Sequence, residues 1–182
     1  MLNIFKQKDN SIEGQFKRIS ITGRMAFAIK CLEQFIIENK LENLWLDRLT
    51  EVLWEFTSSE DLGEWDKKIS DLDPNNVMDK HPDNKPSDYD SLTEKEFYEL
   101  KTYYFGIEDD LLLLIDLTID IGTSNLYGAT GKYSKKTLDS VLRIYHFAQE
   151  NLNGVPEIEK FRISKYSEKG GWGNRMDKAE FD

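Results

Sequence analysis

Residues 107–122, IEDDLLLLIDLTIDIG, constrain the fold more than any other stretch of the chain. As a helix, this stretch is apolar on nearly every side, and such helices are usually buried at the centre of a domain. The exceptions are Asp109, Asp116 and Asp120, which fall within about 40° of one another on a helical wheel and share one face. The pattern predicts a central helix with one acidic stripe, formed by these three aspartates.

The acidic stripe allows three interpretations. It is the narrow solvent-exposed strip of an otherwise buried helix, or a rigid docking surface for Lys and Arg side chains of a partner. The third is a divalent metal site, because carboxylates at four-residue spacing can share an ion. Di-metal helical bundles also use a Glu-x-x-His motif, which this sequence lacks, so we assign no metal ligand and no cofactor.

Helical periodicity continues through most of the chain, and no convincing set of alternating strands interrupts it. The sequence therefore predicts an all-α fold, a single-domain helical bundle of about six helices over residues 1–182. We expect 94–105 and 107–122 to form a helical hairpin. The predicted helices are 23–40, 44–56, 57–72, 73–79, 94–105, 107–122 and 135–152.

Local signals mark where several of these helices begin. Asn43, Asp73 and Thr93 each precede a helical pattern as an N-cap, and Thr93 has Glu three residues later, as in a capping box. Ser58 is predicted to cap 57–72 in the same way, with an acidic residue at its N3 position. These signals predict helix boundaries without any tertiary information.

Three segments lack a clear helical period: an N-terminal lead-in (1–22), a long loop with two prolines (79–92) and a C-terminal tail (164–182). In the tail, Trp172 lies between two glycines and Phe181 follows near the end. Large apolar side chains are not typical of a free tail, so we expect it to be docked with Trp172 more than half buried. The alternative is a partner-binding arm.

The net charge of −10 is concentrated in one part of the chain. Residues 31–125 hold 24 Asp/Glu against eight Lys/Arg, whereas the segments on either side are net positive. Such a field disfavours nucleic acid and anionic membranes as partners and favours a basic protein, although solubility alone would also explain it. The longest apolar run, 111–115, is far shorter than a membrane span, and the N-terminus lacks a signal-peptide core, so we expect a cytoplasmic protein.

Catalytic candidates are few. Cys31 lies in an apolar stretch and is expected to be a buried thiol. His81 lies in the long loop, and His146 precedes Glu150 by one helical turn, which predicts a surface pair. No nucleophile-elbow, zinc-protease or phosphate-loop motif occurs. The alternative of a small-molecule or metal-dependent enzyme would use His146 or the acidic stripe, and a structural or adaptor subunit is a further alternative.

Three stretches, GRMAFAIKCLE, LWEFTSSEDLGEW with DPNNVMD after it, and GGWGNRMDKAEF, resemble small immunity proteins of bacterial polymorphic-toxin and contact-dependent inhibition systems. The resemblance implies a non-enzymatic protein that binds and blocks one cognate toxin domain, often a nuclease with a basic active-site face. It carries over no interface residue. From charge alone, the residues predicted to bind the partner are Glu108, Asp109, Asp116, Asp120, Asp83, Asp88 and Asp90.

Overall fold

The protein is described by a computed structural model that covers residues 9–79 and 86–181. The described residues form an all-α fold with no strand beyond one isolated bridge between Ile19 and Lys165. The α-helices are α1 (Ile12–Phe16), α2 (Ile21–Glu38), α3 (Leu44–Ser58), α4 (Leu62–Leu72), α5 (Pro74–Met78), α6 (Glu94–Gly106), α7 (Asp109–Thr123), α8 (Lys135–Asn151) and α9 (Ile158–Phe161). The predicted all-α single domain is confirmed.

Most of the predicted helix starts are confirmed by their hydrogen bonds. Asn43 accepts from the Trp45 amide, Asp73 caps α5 with proline at its first position, and Thr93 forms a complete capping box with Glu96. The cap predicted at Ser58 is wrong. Asp61 caps α4 instead, because its carboxylate accepts from two first-turn amides.

The helices α2 and α7 lie at the centre of the molecule, and both are buried on most sides. The helix α7 packs between α2 and α8, as the apolar pattern predicted. The predicted hairpin is wrong, because α6 packs mainly on α5 and on the short 3-10 turn Pro86–Asp88 rather than along α7. The Tyr104 hydroxyl, buried on α6, donates to the Leu72 carbonyl at 2.7 Å and ties α6 to the end of α4.

The segments without helical period contain more structure than predicted. The lead-in includes α1, whose Phe16 is fully buried, and α2 starts at Ile21 rather than Gly23. In the 79–92 loop, the described part is anchored by Tyr89 and Leu92, both buried. Apolar residues in these short segments pack on the core even where too few of them occur to show a period.

The C-terminal tail is docked on the helical body. The Ser20 and Ser164 hydroxyls lie 2.6 Å apart, Thr22 donates to the Trp172 carbonyl through both its amide and its hydroxyl, and the Thr57 hydroxyl donates to the Met176 carbonyl. Trp172 is more than half buried, as predicted. The tail therefore closes the fold against α2 and α3.

Aromatic side chains fill the space between the tail and the helices. Phe181 is buried with its ring centroid 6.2 Å from that of Trp54 and 5.9 Å from that of Phe161. The helical pattern of 44–56 places Trp45 on the apolar stripe and Trp54 near its edge, which predicts that Trp45 is the more buried. The structure shows the reverse, since Trp54 is buried beneath Phe181 and Trp45 is only partly buried. The reason is that the tail covers the edge of α3 where Trp54 lies.

Candidate partner-binding surface

The acidic stripe lies on the exposed face of α7. Asp109, Asp116 and Asp120 are all exposed, while the remaining sides of the helix are buried against its neighbours. Along the helix axis, Asp109 and Asp116 are about 10 Å apart, since each residue advances about 1.5 Å. The stripe therefore runs along most of the helix.

Two neighbouring elements hold the C-terminal half of the stripe. The Asn75 side-chain amide on α5 donates to Asp116 at 2.7 Å, and the Asn75 backbone amide donates to Asp73 at 2.8 Å. On the other side of α7, the Ser140 hydroxyl of α8 lies 3.5 Å from Asp120. Asn75 thereby brings Asp73 close to Asp116, which makes Asp73 part of the acidic surface.

The electrostatics of this group reflect burial and mutual repulsion. Desolvation raises the pKa of Asp73, and the charges of Asp116 and Asp120 raise it further. Desolvation also raises the pKa of Asp120, and Asp116 adds to the effect, while Ser140 and two cations of α8 oppose it. The charge of Asp116 thus contributes to disfavouring the ionised forms of both Asp73 and Asp120. Sequence reasoning recognised Asp73 only as a helix cap, because 43 residues separate it from Asp116 and no local signal connects them.

The N-terminal end of the stripe carries further acids. Glu108 precedes α7 without a side-chain cap, and Asp109 and Asp110 follow in its first turn. Carboxylates are favoured there by the helix dipole. The helix α7 contains no Lys or Arg, and in residues 9–79 and 86–181 none of its acids forms an ion pair. Leu113, which is 36 % exposed, lies between Asp109 and Asp116 on this helix.

The loop acids do not all join this surface. Asp83 lies outside the described residues. Asp88 is exposed beside the buried Tyr89, whose phenol donates to the Asn76 carbonyl of α5. Burial raises the pKa of Tyr89, and the charges of Asp71 and Asp88 contribute. Asp88 and Asn76 line the same small cavity, which places Asp88 beside α5.

Asp90 is also exposed, and the structure gives it no contact with the aspartates of the acidic stripe within the described ranges. The pKa of Lys67 on α4 is raised mainly by its hydrogen bond with Glu64, and the charge of Asp90 makes a smaller contribution. The structure therefore brings together Asp73, Asp116 and Asp120 with Asp88 nearby. Glu108 and Asp109 lie at the far end of α7.

The histidine and cysteine candidates lie apart from the acidic surface. His146 is exposed on α8, and its Nδ1 lies 3.2 Å from the Gln149 side-chain oxygen. The predicted pair with Glu150 is wrong, because Gln149 is the acceptor within reach. Cys31 is fully buried, as predicted, and burial raises the pKa of its thiol. His81 lies outside the described residues, and within the described ranges no three His, Cys, Asp or Glu side chains are grouped as metal ligands.

Comparison of the chain with protein-family models, with curated proteins and with solved structures gave no significant match. Among the helices of the described ranges, none combines the length and the apolar character needed to cross a bilayer.

Proposed function

We propose that this protein is an immunity protein that binds and neutralises a cognate bacterial toxin domain with a basic surface. The observation that carries the proposal is the charge of α7. The charged residues of its exposed face are all carboxylates, and in the described ranges none of them forms an ion pair. A solvated strip of a central helix usually mixes both signs of charge, because i,i+4 pairs of opposite sign stabilise a helix and like charges destabilise it.

Repulsion within the acidic surface supports the same interpretation. Burial raises the pKa values of Asp73 and Asp120, and the charge of Asp116 raises them further, so the folded state disfavours the ionised forms of these two carboxylates. A partner that placed Lys or Arg against them would relieve this repulsion on binding. Such charge complementarity raises association rates and excludes partners of the wrong sign.

Leu113 supplies an apolar contact in the middle of the charged surface. It lies four residues after Asp109 and three before Asp116, and it is partly exposed. Interfaces commonly combine a central apolar anchor with a charged rim that excludes water. The surface thus has the composition of a protein interface, and the resemblance to immunity proteins suggests which class of partner it blocks.

The test uses two charge-reversal variants with the same change in net charge. Asp109, Asp116 and Asp120 are replaced by Lys in one. In the control, Lys replaces the exposed Glu51, Glu150 and Glu157, whose carboxylates form no hydrogen bond or ion pair within the described ranges. The partner is purified with the tagged protein from its native host and identified by mass spectrometry. Affinities of both variants are then measured at low and high salt.

We expect the stripe variant to lose at least about 100-fold in affinity and the control less than about fivefold. We also expect the partner to be toxic when expressed alone and harmless when co-expressed with the wild-type protein. Equal losses in the two variants would exclude α7 as the interface. A partner that is not toxic would contradict the immunity function while leaving the binding surface intact.

A further inference from the structure

A cleft of about 840 Å³ lies between the end of α1, the connector from α7 to α8 and the C-terminal tail. In contrast to the acidic surface on α7, its lining is mainly basic. This volume falls within the usual range for small-molecule sites. The tail is held against the segment between α1 and α2 by the hydrogen bond from the Tyr166 amide to the Arg18 carbonyl and by the Ile19–Lys165 bridge. It is held against the connector by the Tyr166 hydroxyl, which donates to the Gly131 carbonyl at 3.3 Å. The cleft is lined chiefly by Lys17, Arg18, Tyr133, Arg162, Lys165 and Tyr166.

Cations dominate the lining of this cleft, although the chain as a whole is strongly acidic. Glu159 is the one carboxylate among the described residues that line it, and that side chain pairs with Arg162. The Lys165 amine has no hydrogen bond or ion pair within the described ranges, and the buried Nε of Arg162 has no acceptor there. An anion in the cleft would supply the acceptor that the exposed Lys165 amine lacks.

A further positive charge lies directly behind the lining. Arg24 is fully buried, and its guanidinium donates to neutral oxygens of Phe16, Tyr133, Ser134 and Thr137. Burial lowers the pKa of Arg24 to about 10, so the side chain stays cationic at neutral pH. No carboxylate of the described ranges pairs with it, so the charge of Arg24 adds to the positive potential of the cleft.

Two tyrosines give the cleft flat apolar surfaces next to these cations. The ring centroids of Tyr133 and Tyr166 are 6.0 Å apart, and the Arg24 guanidinium lies 5.0 Å from the Tyr166 centroid. Tyr133 is 37 % exposed and, like Ser134 after it, has a positive φ. Arg24 binds both of their carbonyls and so holds this strained turn, and strained backbone is often retained at binding sites.

We propose that this cleft binds a small phosphorylated ligand with a flat ring, of the nucleoside monophosphate class. The phosphate contacts Lys165 and the neighbouring arginines, and the ring stacks on Tyr133, the more exposed of the two tyrosines. A long nucleic acid is a poorer fit, because the cleft is small and the acidic surface of the same molecule repels an extended polyanion. The inference does not depend on the proposed immunity function.

The test is calorimetric titration of the purified full-length protein with AMP, GMP, CMP and UMP, with inorganic phosphate and adenosine as partial ligands. We expect at least one monophosphate to bind at least about tenfold more tightly than either partial ligand. Lys165→Ala should weaken that binding by about fivefold or more. The matched control, Lys160→Ala, removes an exposed lysine of the adjacent α9 that does not line the cleft, and should leave the affinity unchanged.

Tyr133→Leu tests the ring contact separately. It should weaken monophosphate binding without changing the affinity for inorganic phosphate, and circular dichroism checks that the variant is folded. Equal affinities for phosphate and all four monophosphates would overturn the ring-bearing class. Absence of saturable binding at millimolar concentrations, or equal effects of Lys165→Ala and Lys160→Ala, would overturn the site.

Discussion

The acidic surface on α7 and the basic cleft differ in how they are assembled. The acidic stripe comes from one helix, so its residues are close in sequence and the helical period alone places them on one face. The cleft joins residues from 10 to 167, and it exists only because the tail docks beside α1. A surface built from one element can be read from sequence, whereas a concave site built from several cannot.

The two regions also differ in whether their charged groups are exposed or buried. On the acidic surface, the charged groups face solvent and lie near one another. In the cleft, one fully buried cation organises the neighbouring backbone. We therefore expect substitutions at the cleft to change the stability of the protein more than substitutions on α7, and the following predictions test that contrast in order of decreasing effect.

Arg24→Met should lower the free energy of unfolding by about 3 kcal/mol, because several buried carbonyls lose their donor. Urea denaturation measures the effect. The control is Arg143→Met, at an exposed arginine of α8, and it should change the free energy of unfolding by less than about 0.5 kcal/mol. A loss below about 1 kcal/mol for Arg24→Met would show that water replaces the guanidinium at no great cost.

Gly173→Ala should lower the free energy of unfolding by about 2 kcal/mol. Gly173 has φ +88, and an added Cβ would clash with the Ser20 hydroxyl and lie 2.6 Å from the Ser164 hydroxyl. Hydrogen exchange should increase in the tail and the cleft but not in α7. The control, Gly170→Ala, also has a positive φ but open space around it, so it should lose only about 1 kcal/mol. Equal losses would mean that the close packing of the tail contributes nothing.

Asp120→Asn should raise the free energy of unfolding at neutral pH, by no more than about 0.5 kcal/mol because the group is exposed and screened. The pKa of Asp120 is raised in the folded protein, so its ionised form is disfavoured there. The penalty is present above the raised pKa and absent below the ordinary carboxyl range, so the gain should disappear as the pH falls. Salt should also reduce it.

Thermal denaturation at several pH values measures this effect. Asp139→Asn is the control, since Asp139 is paired with Lys135 and its removal should give no gain. A gain of the same size in the control would contradict the idea that the carboxylates on α7 repel one another.

The sequence predicted the fold class, most helix boundaries and the exposed acidic stripe, because caps and helical periods are local. It did not predict that α6 packs on α5. The apolar face of a helix shows that the helix packs on another element, but not which element that is. It also missed Asp73 at the acidic surface and the whole cleft. Arg24 lies within an apolar stretch, and nothing nearby in sequence indicates that its acceptors come from residues 133, 134 and 137.

The tail shows the same division within a single segment. Trp172 between glycines and the late Phe181 were enough to predict docking, because large apolar side chains are driven out of water wherever they occur. Where the tail docks was decided by tertiary structure, through the serine and threonine contacts with α2 and α3. Local propensity and hydrophobic burial act on residues close in sequence, whereas a cleft or a shared charge cluster depends on which elements pack together.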